Sequence, residues 1–60
     1  MNNANKAIVV NKIKALKARL FMAENAFHKE EMFDGPDVKV YASIVSNLEQ
    51  QIENLEDKLS

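Results

Sequence analysis

Sixty residues with no cysteine and one histidine exclude a disulfide framework and a thiolate or imidazole metal cluster within one chain. A formal net charge of −1 gives no overall pull toward nucleic acid or toward acidic partners. A domain this small buries only about 60% of the surface its unfolded chain exposes, so oligomerisation is the remaining route to a robust fold.

The charge is unevenly spread. Met1 to Phe33 carries six basic and three acidic residues, and Asp34 to Ser60 carries two basic and six acidic ones. Halves of opposite sign neutralise each other if they fold together, or they mark two different surfaces. The opening Met-Asn-Asn-Ala-Asn-Lys has one basic residue, and Ala7 to Val10 is too short for a signal-peptide apolar region. No stretch approaches the roughly 18 apolar residues of a membrane span. A soluble cytoplasmic protein with no membrane association is expected.

The first helix is predicted from about residue 4 to 32. Its main apolar stripe is Val9, Ile13, Leu16, Leu20, Ala23 and Phe27, spaced alternately by four and three, which keeps one face of a helix apolar. Asn3 or Asn5 is placed to cap its start. Ile8-Val9-Val10 is its weak point, because three β-branched residues in a row lose side-chain freedom in a helix. Residues 1–8 are therefore expected to fray.

The only glycine and the only proline are adjacent, in Asp34-Gly35-Pro36-Asp37. The turn is predicted over residues 33–37. Gly35 suits the left-handed residue that ends a helix, and Pro36 suits the first turn of the next. Asp34 or Asp37 is the expected cap of that second helix.

The second helix is predicted from about 37 to 59. Val38, Tyr41, Val45, Leu48, Ile52, Leu55 and Leu59 form an unbroken heptad, the seam of a helix packed lengthwise on another as in a coiled coil. Ser43, Ser46, Asn47, Gln50, Glu53, Asn54 and Asp57 make the opposite face polar. Folding at Gly35 brings together residues whose numbers sum to roughly 70 at one helical rise per residue. Leu16 then meets Leu55, Leu20 meets Ile52, Ala23 meets Leu48, and Phe27 meets Val45. The same register sets Lys12, Lys14 and Lys17 near Glu53, Glu56 and Asp57, favouring the antiparallel arrangement. The expected fold is all-α: a single-domain antiparallel helical hairpin.

Two helices do not cover everything apolar here. Ile8, Ala15, Ala18, Phe21, Met22, Ala26, Phe33 and Ile44 form a candidate dimer or partner surface, and Val40 lies beside the seam. A helix apolar on several faces is normally surrounded, so two hairpins are expected to pair into a four-helix-bundle homodimer. Phe21, Met22, Met32 and Phe33 also suit adaptable docking to another protein.

The candidate chemical sites are sparse. His28 is the one conventional acid–base side chain, with no serine or cysteine placed beside it as a nucleophile. Glu30, Glu31, Asp34 and Asp37 cluster at the turn, but their spacing fits no EF-hand loop. No catalytic, cofactor-binding or metal-ligating residue is expected. Lys14, Lys17 and Phe21 share one strip of helix 1, and basic residues around an exposed ring suit RNA or DNA. The leading expectation is a small non-catalytic interaction module: an adaptor, inhibitor or assembly factor that docks a helical surface on a partner protein. Size alone suggests a phage or mobile-element accessory protein. The alternatives are a dimeric RNA- or DNA-binding regulator and a purely structural oligomerisation module.

Overall fold

The computed structural model describes residues 3–60 and consists of two helices, α1 (Asn3–Met32) and α2 (Val38–Leu59). They pack against each other along their length. No strand occurs among the described residues. α1 runs without a break through Ile8-Val9-Val10. Met1 and Asn2, part of the segment expected to fray, lie outside the described residues. Asn3 and Asn5 both lie within α1, so neither stands at the N-cap. Among the described residues no helix is long and apolar enough to cross a membrane.

The seam between α1 and α2 is where both stripes meet. Ile13, Leu48 and Ile52 are buried. Val9, Leu16, Leu20, Ala23, Phe27, Val38, Tyr41, Val45, Leu55 and Leu59 are half-buried. No side chain among the described residues is fully enclosed, because one helix can shield only one side of another. The molecule measures 47 × 14 × 12 Å, with a radius of gyration of 14.1 Å. A compact chain of this length would have a radius near 10 Å, so the hairpin is a rod with a narrow core.

A cross-helix ion pair marks the register: Lys17 Nζ lies 3.5 Å from Glu56 Oε2. Lys12 instead borders a groove with Ala15, Leu16, Arg19, Gln51 and Leu55. The Lys17–Glu56 contact sits slightly beyond the register expected from a hinge at Gly35. Helical side chains lean about one position toward their own N-terminus, which accounts for that offset. Both side chains are more than half exposed, so a double-mutant cycle of Lys17→Ala and Glu56→Ala should give a coupling below about 1 kcal/mol. A larger value in urea melts would mean that this pair does more than select orientation.

The turn differs from the sequence expectation. The left-handed residue is Asp34, with φ 53°, and Gly35 does not have positive φ. Asp34 N–H donates to Glu31 O at 3.4 Å, and Gly35 N–H donates to Glu30 O at 2.7 Å. These two bonds form a Schellman closure in which the left-handed position falls on Asp34. Gly35 instead leaves room for the Glu30 carboxylate, which a Cβ there would displace. That carboxylate folds back over the turn, where Glu30 Oε2 accepts from Asp37 N–H at 3.4 Å. Pro36 precedes α2 instead of opening it, and Asp37 takes the N-cap position without a side-chain capping bond. Its backbone carbonyl accepts from Tyr41 N–H at 3.0 Å.

Left-handed geometry costs an L-residue about 1–2 kcal/mol, with Asn and Asp tolerated best. Asp34→Gly should therefore raise the unfolding midpoint by several degrees, since about 1 kcal/mol moves a domain of this size by roughly 4–8 °C. A lowered midpoint in a thermal melt would contradict the assignment of strain to Asp34.

Candidate interaction surface

The two helices differ in how they distribute apolar residues. On α2 they concentrate on the seam side, and the far side is amide-rich. Gln50 donates to Asn54 Oδ1 at 3.1 Å, and Gln51 donates to Asn47 Oδ1 at 2.7 Å. The first of these i,i+4 bonds lies opposite the seam, and the second lies on the flank of α2 where Gln51 borders the Ala15 groove. On α1 the apolar residues go nearly all the way round, so the seam uses only part of them.

What remains outside is substantial. Phe21 is 65% exposed, Met22 71%, Met32 77% and Phe33 72%. Ile8, Val40 and Ile44 are also exposed. Of the candidate surface, Ala15 and Ala18 are exposed as well, and Ala26 alone is half-buried. Ala26 is partly covered because it borders an open concavity at the turn with Lys29, Phe33, Gly35, Pro36 and Tyr41. Spacing gave no sign of this concavity, which depends on Glu30 folding over Gly35. Met32, grouped by sequence with Phe21, Met22 and Phe33 as suited to docking, and Val40, beside the seam, are exposed too.

These residues fall into two strips. Ala15 shares a groove with Gln51 and Leu55, so that side of α1 lies beside the Gln51 side of α2. The helical repeat adds Ile8, Met22 and Ala26 on α1, and Val40 and Ile44 on α2, to the same broad face. The Lys17–Glu56 pair marks the other side. Phe21 and Met32 follow Lys17 round α1 there, with Lys14 among them.

The nucleic-acid strip is thus brought together in part. Lys14, Lys17 and Phe21 are all exposed, but Lys17 is engaged by Glu56, and the acidic half of the chain lies alongside. His28 is exposed and packs against Phe27, ring centroids 5.7 Å apart and tilted by 55°. The turn carboxylates do not converge: Glu30 is turned to the Asp37 amide, and Asp34 is committed to the left-handed closure. Among the described residues no three His, Asp or Glu side chains are arranged to hold a metal ion.

Fold and surface together define a class: an all-α helical hairpin with surplus apolar surface on its first helix. Comparison with known protein families, curated proteins and solved structures gives no match to this chain.

Proposed function

We propose that this chain is a small non-catalytic protein-interaction module. It self-associates into a four-helix bundle and presents the Phe21–Met32 edge to a partner protein. The observation that carries this reading is the exposure of Phe21, Met22 and Met32 at 65–77% on a helix whose seam is already occupied. Burying such a side chain stabilises by roughly 1.5–3 kcal/mol, so two strips left in water represent a large unused driving force for association. Methionine and phenylalanine together also suit an adaptable docking edge, since the thioether repacks and the ring supplies area. Action in the cytoplasm, as an adaptor, inhibitor or assembly factor, belongs to the same proposal.

The test is affinity capture from the native host with the parent chain and with the Phe21→Ser variant, read by mass spectrometry. The reading expects a specific protein recovered by the parent and lost by the variant, while both retain helicity. Recovery of the chain alone would contradict the docking role and leave a purely structural oligomer. A salt-sensitive band shift with short RNA or DNA, lost on Lys14→Glu, would replace this reading with a nucleic-acid regulator.

A further inference from the structure

The chain's accessible surface is 4710 Å². Folded monomers of 6.8 kDa follow a size scaling that gives about 3,950 Å². The hairpin therefore exposes roughly 750 Å² more than a compact chain of its mass. A stable dimer interface takes about 800 Å² from each partner. The surplus is spread over the rod, and burying one half-interface would bring the chain's exposure close to that of a compact chain of its mass; five of the large exposed apolar residues (Ile8, Met22, Phe33, Val40 and Ile44) belong to the broad face or adjoin its turn end.

That face has an internal symmetry. The apolar positions of α1 within about 20° of Ala15 round the helix are Ala4, Ile8, Met22 and Ala26, while Ala18 lies further round and its mirror position across Ala15 is Lys12. Counted outward from Ala15, the set reads the same in both directions: seven residues to Ile8 or Met22, and eleven to Ala4 or Ala26. A two-fold interface requires that if residue i touches residue j, then j touches i. In an antiparallel pair of identical helices, this happens when the two numbers have a constant sum.

We infer that two hairpins pair through this face with their α1 helices antiparallel about a two-fold axis at Ala15. The inference rests on the reading of the chain as a self-associating module and fixes where and how the copies meet. Ala15 then faces the partner's Ala15 at the point of closest approach. Ile8 packs on the partner's Met22, and Ala4 on the partner's Ala26. The small Ala15 pair on the axis lets the helices approach closely there, and the larger side chains fill the space on either side. Ile44 and Val40 of α2 border the interface. The Phe21–Met32 strip lies on the other side of α1 and is left for a different protein.

The arrangement has one unfavourable element. Lys12 and Arg19 flank Ala15 on the side facing α2. The two-fold axis brings Lys12 near the partner's Arg19, and Arg19 near the partner's Lys12. No carboxylate borders that groove. Self-association should therefore tighten several-fold as salt screens this repulsion. An interface joined by complementary charge would weaken instead.

The test uses single cysteines, which the native chain lacks. Opposed Cβ atoms on the axis would fall near the 3.5–4.5 Å that a disulfide spans. Ala15→Cys should form a covalent dimer under mild oxidation at least tenfold faster than Ser46→Cys, a control on the outer face of α2. Ile8→Cys and Met22→Cys should each cross-link poorly alone, but should cross-link with each other when mixed. All four positions are exposed, so circular dichroism should show the parent helicity in each variant. Rapid self-linking of Ile8→Cys and of Met22→Cys would mean a parallel pair and overturn the proposal. Slow linking of Ala15→Cys in a chain that sediments as a dimer would overturn this interface while leaving self-association intact. A parent chain that sediments as a folded monomer would overturn both.

Discussion

Ile52→Ala is expected to leave the chain largely unfolded at room temperature. Ile52 is the most buried side chain among the described residues, 6% exposed, and sits on the seam side of α2. Truncating a buried isoleucine to alanine costs about 2–5 kcal/mol, through lost transfer energy and the cavity left behind. A single core in a domain of this size supplies only about 3–5 kcal/mol. The loss is therefore comparable with the whole stability of the hairpin. Met32→Ala serves as the contrast. Met32 is 77% exposed, and its truncation should move stability by no more than about 0.5 kcal/mol. Urea melts followed by circular dichroism measure both. Equal effects at the two positions would show that the seam is not where the stability resides.

The second large effect concerns association. Ala15→Lys should weaken self-association by at least about 100-fold, or roughly 2.7 kcal/mol. Ala15 is exposed in the single hairpin, and lysine is a good helix former, so the hairpin itself loses little. Across the two-fold axis, however, the substitution sets two cations against each other, beside Lys12 and Arg19 of both copies. It also replaces the small side chain that lets the helices approach. Because the dimer stabilises the folded state by mass action, the variant should also lose the concentration dependence of its melting midpoint. Phe21→Lys, on the other strip, should leave self-association unchanged. Sedimentation velocity over a dilution series separates the two; equal weakening by both would move the interface off the Ala15 face.

The helices were legible in the sequence because their signal is periodic and redundant. The three–four rhythm of Val38 to Leu59 survives any single misreading, and Val9 to Phe27 repeats it. Opposite charge on the two halves supports the same pairing, though Lys17–Glu56 is the contact that forms while Lys12 turns to the groove. The turn was legible only in location. A glycine near a helix end serves a left-handed backbone or a close approach, and the two uses look identical in sequence. Here the left-handed geometry falls on Asp34, and Gly35 makes room for Glu30. In space a carboxylate five residues earlier folds back to the Asp37 amide, which no spacing rule announces. Asp37 likewise occupies the cap position without using its side chain.

The surface was legible as a surplus but not as an arrangement. A helical projection shows that Phe21, Met22 and Ile8 point away from the seam. It does not show which edge of α2 lies beside each of them. That assignment came from two contacts in space: the groove shared by Ala15, Gln51 and Leu55, and the Lys17–Glu56 pair on the other side. With both edges identified, the surplus divides into one strip symmetric about Ala15 and another led by Phe21.

If the working unit is a pair of hairpins, sedimentation equilibrium of the parent chain at micromolar concentration should reveal it. The expected mass is twice the 6.8 kDa of the chain, falling toward the single-chain value on dilution. A helical, cooperatively melting species that holds the single-chain mass throughout that range would contradict it.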